Sequence, residues 1–131
     1  MIFCAMPLVV EIQKNKTTIE KKTINLNYYR NWHRFTENKV KESYQNIVIS
    51  LLFYLKKKKL DFIEIDFVFY KKSRSQKDKA NFLSIHEKYF CDALTKLEII
   101  EDDNDDFIGN TRYFNGGIDR NDPRVEIFIY Y

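Results

Sequence analysis

Between Leu60 and Tyr70 the chain reads Leu-Asp-Phe-Ile-Glu-Ile-Asp-Phe-Val-Phe-Tyr. In an extended chain successive side chains alternate, so Ile63, Ile65, Phe67 and Phe69 share one side. Phe62, Glu64, Asp66, Val68 and Tyr70 share the other. That pattern predicts a central strand with one face set against helices. The flanking segments supply them. From Thr36 to Lys58, Val40, Tyr44, Ile47, Val48, Leu51, Leu52 and Leu55 recur at steps of three and four, which predicts an amphipathic helix. Lys56 to Lys59 then sit at the negative pole of its dipole, where a solvated helix end accounts for them as well as a DNA contact does.

A second helix is expected from about Lys79 to Lys96, with Asp78 as its N-cap. Its apolar stripe is Phe82, Ile85, Tyr89, Phe90, Ala93 and Leu97. A polar stripe of Asn81, Ser84, Lys88 and Asp92 lies beside it, so Asp78 and Asp92 look onto the same side of the helix. Elsewhere, Leu8 to Gln13 reads as a first strand, Lys14 to Lys22 as an exposed connection and Thr23 to His33 as an ordered loop. Two last strands, Phe107 to Tyr113 and Val125 to Tyr131, are expected to pair as a hairpin through Asn115-Gly116-Gly117. The order strand, helix, strand, helix, strand, strand implies an α+β fold, a mixed β-sheet covered by two helices.

A chain of 131 residues carries one core, so residues 1–131 are expected to form a single domain. With 44% apolar and 16% aromatic residues, it has the composition of a packed globule. The net charge of +3 says little, but the charges are segregated. Lys56 to Lys59 and Lys71 to Lys79 are basic, and Glu98 to Asp106 is acidic. Cys4 and Cys91 have no metal-type spacing and read as two reduced thiols. Met1 to Val10 lacks a basic leader and a cleavage site, and no apolar run reaches membrane-spanning length, so a cytoplasmic protein with no membrane partner is expected. No glycine-rich phosphate cradle is present, which argues against nucleoside triphosphate use. With two histidines and no Cys/His spacing zinc is not suggested, and Ser84 lacks a nucleophile-elbow context.

Chemistry concentrates between Asp78 and Asp106. Magnesium is held by few carboxylates, with water and phosphate completing its octahedron, and Asp78 with Asp103 is the obvious pair for it. On composition alone the acidic run reads more readily as a solvated loop, because like-charge runs are usually surface decoration. Lys71, Lys72, Arg74 and Lys77 stand just upstream, the residue types that neutralise phosphates. Tyr29, Arg30 and their aromatic neighbours could stack on bases, although such a group more often closes a core edge.

The pattern Asp78-Lys79-Ala80-Asn81, then Asp92-Ala93-Leu94 closing a helix, then Ile99-Ile100-Glu101-Asp102-Asp103-Asn104, resembles the RusA-type Holliday junction resolvases of phages and prophages. Leu26-Asn27-Tyr28-Tyr29-Arg30-Asn31 is similar to the stretch following the first strand in that family, and Lys88 stands one turn before Asp-Ala-Leu. The resemblance runs from Leu8 to Ile129. It implies a homodimeric crossover junction endodeoxyribonuclease, using Mg²⁺ (or Mn²⁺) to nick two strands of branched, four-way DNA, in a bacterial or phage-infected cell. It further implies Asp78 and Asp103, with Asp102, as metal ligands, Asp92 as a site-shaping carboxylate and Lys88 as support for developing charge. The family pattern is Asp-x-Asp-Asn, and Ala80 occupies the second Asp position. Asp102, Asp106, Glu87, Glu64 or Asp66 could substitute. Without a substitute, the resemblance implies a weakly active or inactive branched-DNA binder.

Overall fold

The computed structural model describes residues 1–76 and 78–131. Along the chain run β1 (Ile2–Pro7), β2 (Val9–Gln13), β3 (Ile19–Thr23), α1 (Leu26–Asn31), α2 (Arg34–Leu52), β4 (Ile63–Lys71), α3 (Lys79–Lys96), β5 (Ile108–Ile118) and β6 (Arg124–Tyr130). A short 3-10 turn, Phe53–Leu55, ends α2. The protein is α+β. Its main sheet has four strands in the order β1-β6-β4-β5, with β4 and β5 parallel and the other pairs antiparallel. β2 and β3 form a separate antiparallel pair packed near α2.

The alternation in β4 behaves as its sequence requires. Ile63, Ile65, Phe67 and Phe69 are buried, and the residues between them are half-buried. Phe67 meets Phe90 edge-on and Phe69 stacks on Phe82, so the inner face of β4 is covered by the apolar stripe of α3. Between the helices lies a fully buried polar contact, Tyr44 Oη to His86 Nδ1 at 2.8 Å. Burial pushes the His86 imidazole down to about 3, so it stays neutral in the core.

Several expectations change. The segment expected as an exposed connection contains β3, and the expected loop contains α1, capped by the Asn25 side chain. α2 begins at Arg34 and stops at Leu52, short of Lys58. Left-handed backbone at Lys57 and Lys59 breaks any continuation, and Lys57 N–H and Leu60 N–H bond instead to the carbonyls of Leu97 and Ile99. The terminal hairpin is absent. β6 inserts between β1 and β4, and Asn115-Gly116-Gly117 lies inside β5. Gly116 serves a close approach rather than a turn, because a Cβ there would stand 2.6 Å from the Tyr70 ring. β6 wins the inner position because Val125, Ile127 and Ile129 are wholly apolar on the helix side and fully buried there.

No helix among the described residues is long and apolar enough to cross a membrane.

Candidate functional site

α3 carries two different acidic environments along its length. At its N-terminus the Asp78 carboxylate accepts from the backbone N–H of Ala80 (3.1 Å) and of Asn81 (3.3 Å), satisfying donors that the first helical turn leaves free. The Asn81 side chain accepts from Asn27 N–H at 3.2 Å and ties α1 to this end. The Asp-x-x-Asn motif therefore builds a cap and a brace.

The second environment lies further down the helix. Lys88 and Asp103 border two adjoining concavities, of about 230 and 160 Å³. The larger is also lined by Glu87, Cys91 and Thr111, the smaller by Lys41, Tyr89 and Asp92. The loop supplying Asp103 is held by its own side chains. Asp102 accepts from Asp103 N–H at 2.8 Å and from the Asn104 amide at 3.1 Å, while Asn104 accepts from Asp106 N–H at 2.9 Å. Partial desolvation first, then the neighbouring carboxylates of Asp102 and Asp92, hold the Asp103 carboxyl above the usual range. Among the described residues, the buried Glu87 Oε1 meets no hydrogen-bond partner. Tyr113 stands close by, its hydroxyl pushed up by burial and then by the Glu87 charge. Asp92 is better satisfied: the buried Gln45 amide donates to it at 2.7 Å and Lys96 approaches to 3.7 Å.

Ten residues of helix separate Asp78 from Lys88, roughly 15 Å at 1.5 Å per residue. The expected Asp78–Asp103 pair therefore does not form within one chain. Asp78 and Asp92 do lie along one helix, but at separate levels roughly 21 Å apart on the same reckoning. The substitutes for the missing Asp sort in the same way. Glu87 lines the Asp103 concavity. Glu64 and Asp66 are on the opposite sheet face, bound to Arg112 at 3.1 and 2.5 Å. Among the described residues, no three carboxylate, imidazole or thiol groups converge as a metal cage. Mg²⁺ needs no such cage where water and phosphate complete its shell. The donor chemistry of Glu87 and Asp103, one with an orphaned oxygen and one crowded by like charge, fits it on those terms.

The basic residues sit at the cap end. Lys71 closes β4 half-exposed, and Lys72 and Arg74 are exposed in the turn before α3. Lys77 lies outside the described residues. Arg30 is exposed on α1. Tyr29 is instead a packing residue, edge-on to Trp32 and Tyr89 at 6.3 and 6.4 Å, which removes it from the expected DNA contacts. Sequence reasoning missed Lys41. Nothing in the heptad-like spacing of α2 says which of its flanking polar positions turns toward α3.

No family model matches the sequence, and no curated protein matches it.

Proposed function

We propose that this chain is a RusA-like, Mg²⁺-dependent, structure-selective endonuclease that resolves four-way DNA junctions by paired nicking as a homodimer in the cytoplasm of a bacterial or phage-infected cell. One observation carries the reading: Asp103, Glu87 and Lys88 line one concavity, so acid and base stand together where the family-like motif places its second acidic block. Glu87 and Asp103 would hold the ion, with Asp92 and Asp102 setting the local negative potential. A bound Mg²⁺ supplies polarisation of a phosphoryl oxygen and a more acidic water. Lys88, exposed at the rim, supports charge developing on the phosphate, and Lys41 attracts the strand from the α2 side. Lys71, Lys72 and Arg74 grip phosphates at the other end of α3. Asp78 is a helix cap in this scheme, not a ligand.

A second reading, a branched-DNA binder without cleavage, is favoured by Ala80 and by the distance of Asp78 from Asp103. Nicking of a synthetic four-way junction, with and without Mg²⁺, separates the two. Wild type is expected to nick only with Mg²⁺, Asp103→Asn to lose the activity, and Ala80→Asp to add none, because residue 80 is remote from the concavity. Tight binding with no product from wild type would establish the binder. A strong gain from Ala80→Asp would move the metal to the cap end.

A further inference from the structure

Between the end of β3 and α1 lies a concavity of about 200 Å³, lined by Lys21, Lys22, Thr23, Tyr28 and Trp32. Among the described residues no carboxylate lines it, and α1 itself carries none. Tyr28 is 55% exposed, whereas Tyr29 beside it packs against Trp32 and Tyr89. We propose that this is a pocket for one unpaired nucleotide of a DNA strand, with its base on the Tyr28 and Trp32 rings and its phosphate on Lys21 and Lys22. The pocket is separate from the Asp103 concavity. It rests on the junction reading only for the source of the strand, and it needs neither Mg²⁺ nor cleavage.

Helix geometry brings the two rings together. Tyr28 and Trp32 are four residues apart, so the short α1 helix sets them on one side. The buried Asn25 side chain fixes the start of that helix by accepting from Tyr28 N–H at 2.9 Å, and Trp32 N–H closes it on the Tyr29 carbonyl at 3.3 Å. Edge-on contact with Tyr29 at 6.3 Å then holds the indole. The aromatic wall is thus set before a ligand arrives, which lowers the ordering cost of binding. β3 contributes the cations. Lys21 is exposed, with Glu11 as its partner across the β2–β3 ladder but no ion pair between them. Lys22 and Lys14 share Glu20 at 2.9 and 3.1 Å, so two cations meet one carboxylate and a positive charge is left over.

Ring, hydroxyl and cation together match the parts of a nucleotide. An aromatic face accepts any base, lysines neutralise the phosphate, and the Thr23 hydroxyl offers one hydrogen bond to base or sugar. A base inside a duplex is stacked on both faces and has none free for Tyr28, so the ligand is unpaired. The volume is smaller than that of a drug-sized site and suits one base. What surrounds the pocket favours a strand over a free nucleotide. The contact from Asn27 N–H to Asn81 ties α1 to the start of α3, and exposed Arg30, Lys72 and Arg74 lie at that end. They supply cations for the phosphates of neighbouring nucleotides.

Trp32 is the single tryptophan of the chain, so its fluorescence reports on the pocket directly. Without Mg²⁺, an oligothymidylate of about eight nucleotides is expected to quench it with micromolar affinity. An abasic oligomer of the same length, a blunt duplex and thymidine monophosphate should each bind at least about tenfold more weakly. Tyr28→Ala should weaken the oligomer about tenfold and Tyr28→Phe should retain it, both with an unchanged circular-dichroism spectrum. Tyr54→Ala, an exposed aromatic at the far end of α2, should bind as wild type does. Lys21→Gln should reduce the slope of log affinity against log salt by about 0.7. Equal affinity for the abasic oligomer or the duplex would reduce the site to a phosphate contact, and equal affinity for the monophosphate would replace the strand by a free nucleotide. Either result, or wild-type binding by Tyr28→Ala, overturns the proposal. A protein that binds in this way but never nicks leaves it standing, and a nicking enzyme whose Trp32 is not quenched removes it alone.

Discussion

Two groups of carboxylates in this domain resemble each other in composition and differ in every physical respect. Glu64 and Asp66 project from the outer face of β4 onto Arg112, the direct cross-strand partner of Asp66 in β5. The guanidinium, with the Asn110 backbone, holds Glu64 below the usual carboxylate range. Asp103, Asp102 and Asp92 gather instead on the helix side, where partial desolvation and mutual repulsion raise Asp103. Lys88 and Lys41 border that site, but no cation forms an ion pair with Asp103 among the described residues. The first group is finished electrostatically. The second has negative charge left over, which is the condition for attracting a divalent ion.

Activity should separate the two groups most strongly. Glu87→Gln is expected to reduce junction nicking by about 100-fold, or ~2.7 kcal/mol of barrier. Asp66→Asn should change it less than about twofold, the contrast expected between a reacting site and a distant ion pair. Single-turnover rates on a fixed junction would measure both, and a large loss in Asp66→Asn would reverse the assignment.

The cap offers a middle-sized test. Asp78→Ala should cost about 1 kcal/mol of stability, and Asp78→Ser should recover most of it, since serine also caps. Urea unfolding reads both. If the serine variant folds normally yet loses nicking, the Asp78 carboxylate has a role that the cap does not explain.

The smallest expected effect lies in the acid limb of stability. Glu64 is lowered in the folded state, so the unfolded chain binds more protons between the folded and unfolded values, and stability rises with pH across that window. The contribution is complete above the unfolded value and disappears as pH falls through the folded one. Arg112→Gln should therefore lower the thermal midpoint at pH 7 and converge with wild type as pH falls through the folded value of Glu64. Asp103 carries the opposite sign: ionising it costs stability as pH rises, so Asp103→Asn should raise the midpoint slightly at pH 7. Equal midpoints at pH 7 for wild type and Arg112→Gln would mean the outer ion pairs are surface decoration.

Much of the frame could be read without coordinates. The β4 alternation, the extent of α3 and the Asp78 cap all follow from local chemistry: side-chain period, helix stripe and a short polar side chain ahead of it. The misjudged parts involve partners distant in the chain. Asn-Gly-Gly carries a hairpin signal that β6 overrides, since its apolar run finds more burial between β1 and β4 than beside β5. Tyr29 looked available to stack on bases until Trp32 and Tyr89 closed around it. Ile19 to Thr23 is too charged to announce a strand, and pairing with β2 makes it one.

What the amino-acid order determined alone is which segments become helix or strand and which of their faces turn inward, because these depend on residues a few positions apart. Which carboxylates are neutralised and which are crowded was decided only by tertiary structure. Coulombic and desolvation effects act through space, and strand register across the sheet and helix level along α3 set the distances over which they act.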